Sequence, residues 1–349
     1  MAPTEPTSVE TRSATTGDED KRLRHYGKFQ VARLIDHAAQ KLVSDVDSHV
    51  KIVHERLLRD QKRIEDLLGG ELRDRKVLVV GPGQMMNELR YLATGNQATG
   101  IDIDILTDGW NPIDFLRMWK QNGAGRVIKT IARRVLGIDR RWRNAWCRSL
   151  GVPRMPSPQV MLGDICDGAP ERNHYDLVGS WSVFQHLPDP GAALSQMVDA
   201  LRPGGVLCVG IHLYTSFTGS CDHRAITGGV DQLPAWGHLR PSTKDQIQPS
   251  AYLNQLRLEQ WREIFEAHAP GFEEFREDYG VQENRVDKLP AEVRDELSDF
   301  SDEELSTVDL YFMWKKPRAT LGASAAQGAH VRGAVNFDET TADRSAPKS

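Results

Sequence analysis

The stretch Lys76-Val-Leu-Val-Val-Gly-Pro-Gly-Gln84 joins four consecutive apolar residues, Val77 to Val80, to a glycine-rich turn. The apolar run predicts a buried parallel strand, and the pattern from about Met85 to Ala93 predicts an amphipathic helix after the turn. About twenty residues later a second apolar run ends in an acid, Asp102. Glycines let a ligand approach the backbone, and an acid at the tip of the next strand can bind a ribose diol. The stretch therefore predicts a site for an adenosine-containing ligand.

The composition is typical of a soluble globular protein. The chain has 349 residues, of which 39% are hydrophobic and 27% charged, and no apolar run approaches the ~20 residues of a membrane span. The polar segment Met1 to Lys21 lacks the apolar core of a secretion signal. The four cysteines form no close pair with metal or redox spacing. These features predict a protein of the reduced cytoplasm, and they do not indicate an oligomeric state.

Alternating strand and helix patterns predict an α/β fold with a parallel sheet covered on both faces. We expect disordered termini at 1–22 and 318–349, N-terminal helices over 23–70, and one domain over 71–317. Within that domain we expect a helical insertion at 105–157 and an acceptor loop region at 212–257. Strands are predicted near 76–80, 98–102, 158–163, 175–180, 205–211, 272–279 and 308–314, and helices near 190–201 and 258–268.

The insertion is strongly basic. Between Phe115 and Arg154 eleven Lys and Arg residues face a single acid, Asp139, so this segment carries +10 and the rest of the chain −15. Three interpretations are open: a solvated helix face, recognition of an anionic acceptor, or docking on anionic lipid headgroups or RNA. We favour a lid with some anionic preference, whose apolar side is Phe115, Leu116, Trp119, Val127, Ile131, Val135, Trp142 and Trp146. The three tryptophans could serve membrane docking or stack on sugars, but at helical spacing we expect them to pack inward.

Later motifs choose between adenosine ligands. A dinucleotide turn has a third glycine at the position of Met86, which weakens the nicotinamide interpretation. A third strand ends at Asp164-Ile165, a fourth runs through Tyr175 to Ser180, and a Leu201-Arg-Pro-Gly-Gly205 turn precedes the fifth. This ordered set resembles the class I S-adenosylmethionine-dependent methyltransferases. The resemblance covers about 76–104, 158–211 and 307–317, and it implies a three-layer Rossmann-like sheet of seven strands with the last strand antiparallel.

The resemblance implies S-adenosyl-L-methionine as cofactor. In that family the glycine loop lies against the cofactor, the acid after strand two binds ribose and the acid after strand three reads adenine. The predicted cofactor-binding residues are Gly81, Gly83, Gln84, Asp102, Asp164, Ile165, Ser180 and Trp181. The glycines could instead serve only a tight turn, Asp104 competes with Asp102, and Asp164 could cap a helix. Val79 and Met85 depart from the family's usual acid and third glycine.

The acceptor is expected near the segment from Gly210 to Arg224, which is dense in polar groups at the carboxyl edge of the sheet. Tyr214, Asp222 and Arg224 are predicted to bind substrate. His212 and His223 are the candidate catalytic bases, with His186 in reserve, although each histidine could simply order a loop. Asp222 and His223 have no second cluster to complete a metal site, and we predict none.

The sequence thus predicts methyl transfer to a small-molecule or glycan hydroxyl by in-line displacement, assisted by a His base. The glycan preference rests on a loose resemblance of the segments around His212 and Leu310 to bacterial polysaccharide and natural-product methyltransferases. The alternatives are an inactive cofactor-binding or scaffold protein of the same fold, and an RNA or membrane-associated lipid methyltransferase. The lack of a separate nucleic-acid module disfavours RNA, while peripheral membrane contact stays open.

Overall fold

The computed structural model describes residues 45–222, 224, 233–277 and 286–318. Several predictions lie outside those residues: the disordered segment 1–22, the N-terminal helices before residue 45, the tail from 319, and His223. Within the described residues, no helix combines the length and the apolar character that a membrane span requires.

A seven-stranded mixed sheet forms the centre of the protein, in the order β3-β2-β1-β4-β5-β7-β6. The first five strands run parallel, and β7 is antiparallel to both β5 and β6. The strands are β1 Lys76–Val80, β2 Gln97–Asp102, β3 Val160–Leu162, β4 Tyr175–Trp181, β5 Leu201–His212, β6 Glu273–Glu277 and β7 Asp309–Lys315. The predicted Rossmann-like α/β sheet with an antiparallel final strand is confirmed.

Helices cover both faces of this sheet. They are α1 Val46–Leu68, α2 Asn87–Leu92, α3 Pro112–Asn122, α4 Ala124–Val135, α5 Ile138–Leu150, α6 Pro190–Ala200, α7 Leu258–His268, α8 Ala291–Glu296 and α9 Asp302–Ser306. Asp189 caps α6 through its carboxylate and Pro190 occupies the first turn, as the sequence predicts. On one face α6 and α7 pack on the sheet, and on the other face α1, α2 and α5 do so.

Strand register places the predicted site at one edge of the sheet. Val80 is opposite Ile101 of β2 and opposite Ser180 of β4. Gly81, Asp102 and Trp181 therefore follow side by side where these parallel strands end. In an open α/β sheet this carboxyl edge is where ligands bind.

The insertion between β2 and β3 is helical, as predicted, and consists of α3, α4 and α5. Of the predicted apolar side, Leu116, Trp119, Ile131 and Val135 are exposed and only Trp146 is fully buried, so the expectation that its tryptophans pack inward is wrong for Trp119. Helix α4 turns a polar side inward. Its arginines form ion pairs with acids of neighbouring segments, and these pairs leave the apolar stripe outside.

Candidate cofactor and acceptor site

The glycine loop has the backbone that a ligand cradle requires. Gly81 and Gly83 adopt positive φ angles of 65° and 64°, a region that favours glycine. A Cβ on Gly81 would come within 2.6 Å of a Val183 methyl, whereas open space surrounds the Cβ position of Gly83. The buried Nε2 of Gln84 has no hydrogen-bond partner in the described part of the chain. An open cradle beside an unpartnered amide donor fits a ligand that carries acceptor oxygens.

Asp102 faces this loop from the end of β2. Its Oδ2 accepts from the backbone N–H of Gly83 at 3.3 Å, and its Oδ1 accepts from that of Asp104 at 2.8 Å. Burial, with the nearby charge of Asp104, raises the pKa of Asp102 to about 6. The carboxylate of Asp104 is engaged in an ion pair with Arg126 of α4. Of the two acids that compete for the ribose, Asp102 is the one bonded to the glycine loop.

Asp164 and Ile165 follow β3. The Oδ1 of Asp164 accepts from the backbone N–H of Cys166 at 2.8 Å, which closes a local turn; no helix begins here for Asp164 to cap. Ile165 is buried in the core on the α6 side of the sheet.

Ser180 and Trp181, at the end of β4, use their side chains within the protein. The Ser180 hydroxyl is fully buried and donates to the carbonyl of Val80 at 3.1 Å. The Trp181 indole donates to Asp60 Oδ2 of α1 at 3.0 Å. Both residues tie the end of β4 to its neighbours, so any contact with a ligand would come from their backbone.

Asp60 is a hydrogen-bond partner of Trp181 that the sequence did not single out. It is almost completely buried under the sheet, and burial raises its pKa to about 6 despite the Trp181 hydrogen bond and nearby arginines. Nothing in its helical spacing distinguishes it from a surface acid of α1. Its partner Trp181 lies more than a hundred residues away in sequence, so only the fold shows the pair.

His186 lies in the turn after β4. Its Nδ1 donates to the carbonyl of Tyr252 at 2.7 Å, and the Gln185 amide lies 3.3 Å from its Nε2. Asn254 bonds the same turn through the Phe184 carbonyl at 2.8 Å. These contacts hold the segment around residues 252–254 against the turn, as expected of a loop-ordering histidine. Burial lowers the pKa of His186, and the charge of His212 lowers it further.

His212 ends β5 and is paired with an acid on the adjacent strand. Its Nδ1 lies 2.9 Å from Oδ1 of Asp309, the residue opposite it in the β5–β7 register, and its Nε2 lies 3.1 Å from the Thr218 hydroxyl. Burial alone would lower the pKa of His212, but the hydrogen bond and charge of Asp309 outweigh burial and raise it. An acid that orients one ring nitrogen leaves the other to work as a base.

The loop after β5 is held by buried polar contacts. Asp222 is fully buried and accepts from the Arg224 side chain at 3.0 and 2.5 Å and from the backbone N–H of Gln248 at 2.7 Å. Although burial opposes it, this pairing lowers the pKa of Asp222. The carbonyl of Tyr214 accepts from His238 Nε2 at 2.7 Å. Asp222 and Arg224 therefore brace the loop against residues 246–250, besides any contact that they make with a substrate.

Sequence reasoning missed Asp309 and His238. Asp309 opens the predicted final strand, and pairing that strand antiparallel to β5 would have placed it opposite His212. His238 follows residues outside the described part of the chain, and burial lowers its pKa to about 4. In the described residues no group of three or more His, Cys, Asp or Glu side chains could hold a metal ion.

A cavity of about 700 Å³ with both polar and apolar walls lies beside the residues that follow Asp102. It lies between the segment after β2, helix α3 and the edge strand β3. Acids and bases both line it, including Asp104, Asp108, Asp114 and Lys120. Its walls connect the insertion directly to the residues that follow Asp102.

Comparisons with known proteins agree with this geometry. Residues 52–268 match the family described as methyltransferase domain. A curated relative, the uncharacterised 37.1 kDa protein in transposon TN4556 of Streptomyces fradiae, is 32% identical over 102 residues, which are 28% of this chain and 30% of that protein. The chain thus matches less than a third of the length of that relative.

Solved structures with a similar fold include two methyltransferases. Phosphoethanolamine N-methyltransferase 2 of Haemonchus contortus, in complex with phosphomonomethylethanolamine and S-adenosylhomocysteine, is 17% identical with a TM-score of 0.41, covering 74% of this chain and 53% of that one. A putative sarcosine dimethylglycine methyltransferase of Galdieria sulphuraria is 16% identical with a TM-score of 0.37, covering 74% and 86%. The family match spans more than half of the chain and coincides with the glycine loop, the strand-two acid and the ordered strands. The chain belongs to the methyltransferase domain family, the class I enzymes whose cofactor is S-adenosylmethionine.

Proposed function

We propose that this chain transfers a methyl group from S-adenosylmethionine to a hydroxyl group of a small molecule or glycan, with His212 as the general base. The observation that carries the proposal is the His212–Asp309 pair at the carboxyl end of β5. It lies at the same sheet edge as the glycine loop and Asp102, where cofactor and acceptor have to meet.

The cofactor side of the site is assigned to Gly81, Gly83, Gln84 and Asp102. The positive-φ glycines admit a ligand to the backbone, and the Gln84 amide offers a donor to a carboxylate. Asp102 would exchange its bond to Gly83 for the ribose hydroxyls. When bound, S-adenosylmethionine supplies a methyl group on a positively charged sulfur, which is already activated for displacement. The chain's main task is therefore to align the acceptor oxygen with that carbon.

His212 has the arrangement of an oriented base. Asp309 holds the proton on Nδ1, so the lone pair of Nε2 points towards the Thr218 hydroxyl. An acceptor hydroxyl that replaces this contact, or that passes its proton through Thr218, would be deprotonated as the new C–O bond forms. His212 serves as a base only in its neutral form. Asp309 raises the pKa of His212, so the rate of methyl transfer should rise as the pH rises through that pKa.

The acceptor is identified by isotope transfer from labelled cofactor into a fractionated cell extract. Single-turnover transfer to the labelled compound is then measured for His212→Gln, Asp309→Asn and His186→Gln. We expect His212→Gln to lower the rate by about 10²- to 10⁴-fold, as for other general bases, while cofactor affinity is retained. His186→Gln alters the reserve candidate, whose ring is held by the Tyr252 carbonyl, and it should change the rate far less than His212→Gln does.

Two results would contradict the proposal. An unchanged transfer rate in His212→Gln would exclude this residue as the base and return attention to His223. Cofactor binding without labelling of any fraction would support the non-catalytic cofactor-binding alternative instead.

A further inference from the structure

Helix α4 is amphipathic with its apolar side turned to the solvent. Ile128, Ile131 and Val135 follow one another at helical spacing, and their exposed fractions are 56%, 38% and 71%. The opposite side carries Thr130, which is fully buried, and Arg133, whose guanidinium pairs with Asp139. Helices on globular proteins normally turn the apolar stripe to the core and the charges to water. In α4 the arrangement is reversed.

The preceding segment adds to the same feature. Helix α3 is joined to α4 by Gly123 alone and exposes Ile113, Leu116 and Trp119, while Trp110 just before it is 60% exposed. Arg117 and Lys120 are exposed on α3 among these apolar residues. We call this set the basic apolar face: Trp110, Ile113, Leu116, Arg117, Trp119, Lys120, Ile128, Ile131 and Val135.

This concentration is not a scatter of single exposed hydrophobic residues. Of the thirteen large hydrophobic side chains that are exposed in the described part of the chain, nine lie between Ile103 and Leu136. Clustered exposed apolar groups mark interaction surfaces, whereas isolated ones are normal. The ion pairs of Arg126 and Arg133 fix α4 in the reversed orientation, so the stripe cannot turn inward unless these pairs break.

Charge and side-chain type identify the occupant. Among its nine residues the face has two exposed cations, Arg117 and Lys120, and no acid, so pairing this face with the same face of a second copy would bring like charges together. Tryptophans beside aliphatic residues with Arg and Lys among them are what a helix presents at a lipid interface. There the apolar side chains enter the acyl boundary and the cations meet anionic headgroups. We propose that the basic apolar face docks α3 and α4 on a membrane surface rich in anionic phospholipid.

The test is flotation of the full chain with vesicles of phosphatidylcholine alone and of phosphatidylcholine mixed with phosphatidylglycerol. Two double variants test the two properties of the face. Ile128→Ser with Val135→Ser removes apolar side chains, and Arg117→Glu with Lys120→Glu reverses the charge of its cations. We expect each pair to lower partition onto the anionic vesicles about tenfold or more. We also expect added salt to weaken binding of the wild type.

Matched controls alter equally exposed residues elsewhere. Ile52 and Leu58 of α1, which are 61% and 49% exposed, are changed together to Ser. Lys244 and Lys288, exposed outside the insertion, are changed together to Glu. Both control variants should partition like the wild type. Thermal unfolding verifies that every variant is folded, and if the serine pair fails that check, the glutamate pair tests the proposal by itself.

Three results would overturn the proposal. The first is the absence of binding to anionic vesicles. The second is equal binding to both vesicle types or equal binding of face and control variants. The third is lack of vesicle binding together with dimerisation, or with RNA binding, that the face variants abolish.

Discussion

The protonation state of Asp102 should control cofactor affinity. Burial raises the pKa of this acid to about 6, and a carboxylate accepts the two ribose hydrogen bonds only when it is ionised. Near pH 8 almost every molecule has Asp102 ionised, whereas near pH 5 only about one molecule in ten does. The Kd for the cofactor should therefore be about tenfold higher near pH 5 than near pH 8. Affinity is thus lost as the pH falls through the pKa of the free protein. Asp102→Asn removes two charge-assisted hydrogen bonds and should weaken binding by about 10- to 150-fold near pH 8.

The assay is calorimetric titration with S-adenosylhomocysteine at several pH values between about 5 and 8. Asp102→Asn should bind weakly at every pH, because the group that titrates has been removed. Asp104→Asn is the matched control: its carboxylate pairs with Arg126, and we expect the pH dependence of the wild type to persist in it. A wild-type affinity that is constant over this range, or an Asp102→Asn variant that binds like the wild type, would refute the assignment of Asp102 to the ribose.

Three further predictions concern positions whose geometry is tightly set. The pKa of Asp60 rises from 3.8 to about 6 on burial, so the stability that this acid contributes falls as the pH rises through that range. Asp60→Asn removes the titration. The change that it makes in the unfolding free energy, measured by urea denaturation, should therefore be more favourable near pH 8 than near pH 4 by up to about 3 kcal/mol. Gly81→Ala combines a positive φ with a methyl group 2.6 Å from Val183. It should lower the unfolding free energy by about 1–3 kcal/mol, measured by thermal unfolding, and weaken cofactor binding. A variant as stable as the wild type would contradict the predicted strain. The methyl group of Gly219→Ala would overlap the Tyr214 carbonyl. This variant should impair methyl transfer while cofactor affinity persists. Normal turnover would show that this loop is not part of the acceptor site.

The sheet could be predicted because local sequence and fold agree there. Val77 to Val80 are almost completely buried on both faces of β1, and a strand buried on both sides needs a continuous apolar run. The Asp189-Pro190 start of α6 is likewise a local signal, since capping depends on neighbours in the chain. Glycines at the end of β1 and an acid at the end of β2 then meet at one edge simply because the strands are parallel.

The partners of the site residues could not be predicted in the same way. His212 depends on Asp309, 97 residues further along the chain, and Trp181 depends on Asp60, 121 residues before it. Neither acid stands out by composition or spacing, because each resembles the many acids that lie on the protein surface. Strand pairing brings Asp309 opposite His212, so the orientation of this histidine is a property of the sheet and not of the loop that follows it.

The insertion shows why amphipathic periodicity alone does not decide which side of a helix is buried. The spacing of Ile128, Ile131 and Val135 is that of a core-facing stripe, and Ile131 and Val135 belong to the apolar side that the sequence predicts for the insertion. The fold places acids on the opposite side, and these acids pair with the partly buried guanidinium groups of Arg126 and Arg133. Either side of α4 could therefore have faced the interior, and the ion pairs explain why the charged side does. Because these ion pairs hold the charged side, the apolar stripe stays in solvent until an external surface covers it. The vesicle experiment asks whether that surface is an anionic membrane.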